Sequence, residues 1–369
     1  MTFGTLNAAG LTAVSGELGT GVLQASIRSD DLFLNLLLDP TVAGRAGGFA
    51  GPGGGATAFA GDETSAYAAR RRTTPSERDA YAMATKAPGF VAAPANRSGV
   101  WSAAFGGSET VGGNAIVGSQ DFRASVHGLM AGADHAAWLR AGRRQHRLLL
   151  ASELGSGSAD LFQAGAFARH DLGPGYLSAA LAYGWHDVTT DRSVALAGVD
   201  RLQGCFKADT LSGRFEGGYR FATLWAGLTP YAAAQVISFR LPAYAEQTLA
   251  GTGLFALNCG AETTTSTRTE LGLRGDRSFA TQTGVLTLLS RLAWAHDYDT
   301  SRGVTAAFQA LPGTSFVVNG ARPNADSALV SAGADLKWSN GFSLATTFQG
   351  EFAGHVTSYA GKGVARYIW

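Results

Sequence analysis

The chain has 369 residues, of which only 15% are charged, against roughly 25% in typical soluble domains. Its 50 glycines are about twice the usual share of around 7%. The net charge of +1 provides no basic footprint, which argues against nucleic acid as a partner.

Residues 1–40 predict one helix. Apolar side chains recur at spacings of three and four between Leu11 and Leu38, with Ser15 and Glu17 in the expected first turn. The longest apolar run is interrupted by Asn35, so no stretch reaches the roughly 20 apolar residues of a membrane helix. The chain also begins without a charged and apolar leader, from which we expect a fragment or a truncated gene product.

Residues 41–98 predict a flexible linker. The segment consists largely of Gly, Ala, Thr, Arg and Pro, including the run from Gly51 to Gly55, and cannot bury enough apolar surface to fold.

Residues 99–369 predict antiparallel strands. Apolar and polar side chains alternate there in segments of about ten residues between turn signals, which is typical of a membrane β-barrel. The twelve predicted strands cover 99–107, 124–135, 147–155, 162–170, 176–188, 208–221, 225–238, 266–276, 284–297, 327–337, 342–352 and 360–369. The fold class is therefore all-β, a twelve-stranded antiparallel transmembrane β-barrel.

Alternation alone does not separate a barrel from a soluble sandwich, because both have one apolar face. Two further patterns favour the barrel. Aromatic residues fall near predicted strand ends, and short turns alternate with long connections at 108–123, 189–207, 239–265 and 298–326.

Charged residues on the faces opposite the apolar ones predict the lining of the pore. An Arg facing lipid at the bilayer midplane costs roughly 2 to 4 kcal/mol, so charges should turn inward. The alternative is ordinary surface charge on a soluble sheet. The predicted pore-lining residues are Arg214, Glu216, Arg220, Arg268, Glu270, Arg274, Arg291, Glu351 and Arg366.

The two cysteines, Cys205 and Cys259, fall in long connections on the predicted outer side. In an oxidising compartment they are candidates for a disulfide, with two unrelated free thiols as the alternative.

The seven histidines show no metal-ligand spacing, and no phosphate-binding or nucleophile motif occurs, so we expect no metal and no cofactor. His186 and His296 precede Asp187 and Asp297, a pairing that would suit an acid/base site. The interpretation we favour is that they are polar residues at the barrel rim.

Several segments resemble the autotransporter β-domain family. They are AYGWHDV at 182–188, EGGYRF at 216–221, LTPYAA at 228–233, ELGLR at 270–274, LAWAHD at 292–297, FQALPG at 308–313, DSALV at 326–330 and the terminal GVARYIW from Gly363. The triplet Ser15–Gly16–Glu17 is similar to the start of the helix that threads the pore in this family, so the resemblance implies that residues 1–40 contain a passenger remnant and the pore helix.

The resemblance implies a barrel in the bacterial outer membrane, embedded in the lipid bilayer, that exports and displays its own N-terminal passenger. It also implies an assembly signal for the barrel-assembly machinery at Gly363, Tyr367 and Trp369. Some members cleave their passenger at paired asparagines, and no Asn-Asn pair occurs here. We therefore expect no enzyme; the alternatives are an outer-membrane β-barrel hydrolase, a pore without passenger, or a soluble all-β binding module.

Overall fold

The computed structural model describes residues 18–39, 99–114, 119, 121–134, 138–150, 155–195 and 198–369. The predicted first turn of the helix at Ser15 and the predicted linker at 41–98 lie outside these residues. One long helix, α1, spans Leu18–Leu37. Within the described part of the chain, no helix has the length and hydropathy to cross a bilayer.

The rest of the described chain is almost entirely antiparallel sheet. The strands are β1 (Gly99–Val111), β2 (Phe122–Asp134), β3 (Trp138–Leu150), β4 (Gly155–Leu172), β5 (Gly175–Val194), β6 (Asp200–Tyr219), β7 (Phe221–Ala222), β8 (Gly227–Leu241), β9 (Tyr244–Ala245), β10 (Gln247–Ala250), β11 (Leu257–Cys259), β12 (Glu262–Ala280), β13 (Gly284–Asp297), β14 (Gly303–Phe308), β15 (Ser315–Asn319), β16 (Asp326–Trp338), β17 (Phe342–Phe352) and β18 (Val356–Ile368).

The large sheet closes on itself. Its strands follow the order β10-β6-β5-β4-β3-β2-β1-β18-β17-β16-β13-β12-β8-β7, and β6 also pairs directly with β8. The first long strand pairs with the last, from Gly99 opposite Ile368 to Val111 opposite Val356. The predicted all-β antiparallel barrel with an N-terminal helix is thus confirmed. Twelve remains a prediction for the whole chain, because the segments on both sides of β3 lie outside the described residues.

A second, four-stranded sheet forms from the long connections, in the order β15-β14-β11-β9. It lies at the end of the barrel where β5 passes into β6, since Tyr244 of β9 stacks on Phe206 of β6 with 4.2 Å between the ring centroids. We call this end the long-connection end. The opposite end carries tight turns such as the one at Gly173, whose φ of 63° suits glycine.

Two strand predictions were wrong. The third predicted strand, 147–155, is displaced, because β3 occupies Trp138–Leu150 and begins nine residues before the predicted bound. The predicted connection at 189–207 is mostly strand, since β5 continues to Val194 and β6 begins at Asp200. Both segments carry charged or polar residues at odd and even positions alike, so the apolar alternation that marks a strand is absent from the sequence there.

The two faces of the barrel are opposite to those of a soluble sandwich. Phe215 on β6 is 53% exposed and Leu292 on β13 is 63% exposed, whereas Glu216 and Glu270 are 1% and 2% exposed. Apolar side chains therefore point outward and charges point inward. A soluble sandwich would bury the first set and solvate the second.

Three aromatic rings lie flat over glycines of the neighbouring strand, inside the barrel. A Cβ atom built on each glycine would come within 2.5 to 2.7 Å of the ring. The cross-strand pairs are Trp101 with Gly132, Tyr176 with Gly218, and Tyr231 with Gly272. These glycines are required because only a residue without a side chain leaves room for the ring.

We expect Gly272→Ala to lower the free energy of unfolding of the barrel by about 1–3 kcal/mol, the usual cost of overpacking. The added methyl would lie 2.5 Å from Cε1 of Tyr231, and Tyr231 is held in place by Arg291, whose Nε donates to its hydroxyl at 2.6 Å. Gly361→Ala is the matched control, because a Cβ at that strand position meets nothing within 4 Å. The measurement is the temperature at which the folded barrel, seen as a separate band when samples are run on a gel without boiling (heat-modifiable migration), is lost. Equal shifts of this temperature in both variants would contradict the prediction.

Candidate functional site

Helix α1 lies inside the closed sheet. From Thr20 to Asp39 its residues are buried on every side, with only Leu32 and Asn35 partly accessible. It packs against β2 to β6, β8 and β14. The helix has both polar and apolar side chains and is buried on all sides. The surface around it must therefore offer hydrogen-bond partners to the polar side chains and apolar contacts to the others.

The N-terminal end of α1 lies at the long-connection end of the barrel. Arg302, in the connection after β13, donates from Nε to Oε1 of Gln24 at 3.0 Å. Thr20 packs closely on Gly320, since a Cβ atom added to Gly320 would lie 2.4 Å from the hydroxyl of Thr20. At the other end, Asp39 forms an ion pair with Lys362 of β18. The chain therefore runs inward from the long-connection end.

Polar side chains of the helix bond to strands on all sides of the lumen. Arg28 donates to Glu351 of β17 at 2.7 Å and to the hydroxyl of Ser358 of β18 at 2.8 Å. On other strands, Glu109 accepts from Gln24, His186 pairs with Ser26, Gln235 donates to Asp31, and Gln163 donates to Asp30. Because the partners come from β1, β4, β5, β8, β17 and β18, the bonds fix the helix in the lumen from several directions.

The first charge cluster of the lumen contains five predicted residues. Arg214 Nη2 lies 3.0 Å from Glu270 Oε2 and 3.2 Å from Glu216 Oε2. Arg274 donates to both carboxylate oxygens of Glu216, at 2.6 and 2.8 Å. Arg291 completes the cluster through an ion pair with Glu270. Each carboxylate thus has two arginines, which offsets the cost of removing it from water.

Sequence reasoning missed Tyr176 and Tyr231 as members of this cluster. The hydroxyl of Tyr176 donates to Glu216 at 2.8 Å, and the ring of Tyr231 lies 4.0 Å beneath the guanidinium of Arg274. Each ring requires a glycine at the paired position of the neighbouring strand. The sequence contains these glycines, but only the strand register shows that they lie opposite the tyrosines.

The second cluster joins the helix to the barrel. Glu351 forms ion pairs with Arg28 of the helix and Arg268 of β12, and it accepts a hydrogen bond from the hydroxyl of Ser327 at 2.8 Å. Arg268 also lies 3.9 Å from Asp297. The remaining predicted residues lie apart: Arg220 is paired with Asp276 at 2.7 Å, and Arg366 is buried on β18.

A small polar cavity remains beside the helix. Its volume is about 60 Å³, and Asn35, Asp39, Arg214, Arg274 and Lys362 are among the side chains that line it. That is room for a few waters next to charged groups, so the lumen can stay hydrated with the helix in place.

The predicted pairs of histidine and aspartate do not form acid/base sites. His186 was expected at the rim, but its side chain faces the lumen, is 2% exposed and contacts Ser26 at 3.2 Å. Neighbouring strand residues point to opposite faces, so Asp187 and Asp297 are separated from His186 and His296. Among the described residues, no group of three His, Cys, Asp or Glu side chains is placed to hold a metal ion.

The predicted disulfide does not form. Cys205 and Cys259 are both free thiols, the first exposed on β6 and the second buried on β11 of the small sheet. Cys205 is thus in a strand and not in a connection, and the two side chains lie on different surfaces. Burial raises the pKa of the Cys259 thiol, which disfavours its thiolate.

The last strand completes the closed sheet and ends in aromatic residues. Gly363 pairs with Ala104 of β1 and Thr346 of β17. The ring of Tyr367 lies 4.6 Å from that of Phe342 and 6.0 Å from that of Trp369, which is 60% exposed.

The family model described as the autotransporter beta-domain matches residues 100–349. Two curated proteins of Serratia marcescens, both called extracellular serine protease, are 26% identical over 196 residues. That region is 53% of this chain and 18% of each relative, so the chain spans less than a fifth of their length.

Two solved structures are similar in fold. The translocator domain of autotransporter NalP from Neisseria meningitidis aligns with a TM-score of 0.56 at 16% identity, covering 85% of this chain and 99% of that one. The beta domain of the Bordetella autotransporter BrkA aligns with a TM-score of 0.49 at 18% identity, covering 73% and 98%.

We expect Arg214→Ala to destabilise the barrel by about 3 kcal/mol, because it leaves Glu216 and Glu270 short of a buried counter-charge. The matched control is Arg240→Ala. The Arg240 side chain is 71% exposed and its ion pair with Asp209 is long, at 3.8 Å, so its loss should lower the free energy of unfolding by less than about 1 kcal/mol. The measurement is the denaturant midpoint of the barrel in detergent micelles. A smaller effect for Arg214→Ala than for Arg240→Ala would contradict the account of the lumen.

Proposed function

This chain belongs to the autotransporter β-domain family, whose members are translocators of the bacterial outer membrane, and we propose that it exports and displays a passenger attached to its N-terminal end. The observation that carries the proposal is the direction of α1. Its N-terminal end lies at the long-connection end, beside Gly320 and Arg302, which supports a passenger attached on that side of the barrel. Long connections lie on the outer side of outer-membrane barrels, which supports display of the passenger at the cell surface.

In this proposal the predicted pore-lining residues form a fixed seat for the helix. Glu351, which is also paired with Arg268, binds Arg28, while Arg214 connects through Gln235 to Asp31. The seat anchors the exported chain once translocation is complete, since Arg28 reaches Glu351 and Asp31 reaches Gln235 only when the helix is inserted in the lumen.

We propose that the domain performs no bond chemistry. His186 and His296 point to the face opposite to that of Asp187 and Asp297, the residues that follow them. His186 contacts Ser26 of the helix, and His296 pairs with Asp326 on the outward face. The protease activity in the names of the Serratia marcescens relatives is then a property of the rest of those proteins, of which this chain matches 18%.

We also propose that the barrel-assembly machinery reads the last strand through Gly363, Tyr367 and Trp369. Support comes from position: β18 closes the sheet against β1, so it must be engaged before closure. Tyr367 and Trp369 are exposed on the strand that completes the barrel.

The first test fuses a reporter domain to the N-terminal end of the full chain. We expect the reporter to be cleaved by protease added to intact cells, while the barrel remains protected. A reporter that is accessible only after the outer membrane is opened would contradict the proposed direction of export.

The second test truncates the C-terminal aromatic by changing Trp369→Ala. We expect several-fold less heat-modifiable barrel in the outer membrane, with Trp225→Ala as control because Trp225 is an exposed aromatic outside the last strand. If the purified Trp369→Ala protein refolds normally in detergent, assembly and not stability is impaired. Equal outer-membrane levels of both variants would exclude a signal at this residue.

A further inference from the structure

An outward-facing patch of polar and aromatic side chains lies directly beyond the apolar band, at the long-connection end. Successive cross-strand rows show the change. The row Leu273–Leu292–Val330 is exposed and apolar, the next contains Leu271, Trp294 and Ala328, and the one after it contains Thr269, His296 and Asp326. The third row is therefore at the level where hydrocarbon ends and headgroups begin.

The side chains of this level are organised by one carboxylate. Oδ1 of Asp326 accepts from the indole Nε1 of Trp294 at 3.0 Å and pairs with Nδ1 of His296 at 2.9 Å. Tyr298 stands edge-on to His296, with 4.8 Å between ring centroids, and its hydroxyl lies 3.3 Å from that of Thr269. We call Thr269, Trp294, His296, Tyr298 and Asp326 the outer polar patch.

The composition of the outer polar patch selects a type of headgroup. It contains one carboxylate and no lysine or arginine, and the nearby Arg268 faces the lumen, where it binds Glu351. A phosphate would meet Asp326, whose side chain is 63% exposed, without a fixed positive charge to offset the repulsion. Exposed hydroxyls, a carboxylate acceptor and aromatic faces instead suit a neutral, hydroxyl-rich ring.

We propose that the outer polar patch binds a sugar ring in the headgroup of a glycolipid of the outer leaflet. Trp294 and Tyr298, which are 47% and 64% exposed, supply aromatic surfaces for the C–H face of the ring. Asp326 and Thr269 accept from its hydroxyl groups, and His296 orients the carboxylate. The inference rests on the proposed orientation in the outer membrane, and the patch is continuous with the lipid-facing band that this orientation defines.

The experiment uses the full chain, folded in detergent micelles, with short-chain bacterial lipopolysaccharide as the probe and native mass spectrometry to count bound molecules. We expect binding to weaken about tenfold in Tyr298→Ala and in Asp326→Asn, as the loss of one or two polar contacts predicts. Arg240→Ala and Trp225→Ala, which alter exposed residues outside the patch, should bind as the unaltered chain does.

Two further probes decide the chemistry. Dephosphorylated lipopolysaccharide should bind as tightly as the intact form, and phosphatidylglycerol should not compete. Loss of binding on dephosphorylation, or equal competition by phosphatidylglycerol, would overturn the proposal. Heat-modifiable migration of the same samples shows whether the barrel is folded. The orientation proposed above is tested separately by the protease accessibility of the N-terminal reporter, so failure of either inference can be recognised alone.

Discussion

The structure depends on the mutual satisfaction of buried polar groups between helix α1 and the inner face of the barrel. Arg28 and Glu351 are each less than a tenth exposed, and without Arg28 the carboxylate of Glu351 would keep only one of its two arginine partners. The hydrogen bonds of Gln24 with Glu109 and of Gln235 with Asp31 likewise join buried polar groups of the helix to the barrel. Lumen and helix therefore satisfy each other's buried polar groups around a shared apolar cluster, which explains why a chain with so few charges places many of them inside.

This arrangement follows from membrane physics together with strand geometry. Backbone groups are satisfied by closing the sheet, and alternate side chains must then face either lipid or lumen. Apolar residues such as Phe215 and Leu292 face the lipid, and arginines such as Arg214 face the lumen. The rings of Tyr176 and Tyr231 pack over Gly218 and Gly272 on the lumen wall, and their hydroxyls donate to carboxylates of the first charge cluster. In the proposed function, translocation ends when the helix reaches the register in which Arg28 meets Glu351 and Gln24 meets Glu109.

The sequence predicted the faces well because parity is a local property. Arg214, Glu216 and Glu270 could be assigned to the lumen from their immediate neighbours alone, and the strands at 284–297 and 342–352 match β13 and β17 in both bounds. Partners were not predictable, since Arg28 and Glu351 are 323 positions apart. His186 was assigned to the rim because nothing local indicates that Ser26 lies opposite it. β3 and the outer parts of β5 and β6 were missed where polar residues occupy both faces.

The most direct measurement of the central claim is site-specific cross-linking of the helix to the lumen wall in intact outer membranes. In a chain with Cys205→Ser and Cys259→Ser, the pair Ser26→Cys and His186→Cys replaces side chains whose polar atoms lie 3.2 Å apart. A short cross-linker with two thiol-reactive groups should join them with high yield, and it should fail to join Ser26→Cys to Leu271→Cys on the outward face, where Leu271 is 55% exposed. Equal yields for the two pairs, or no cross-link in either, would show that the helix does not occupy the lumen.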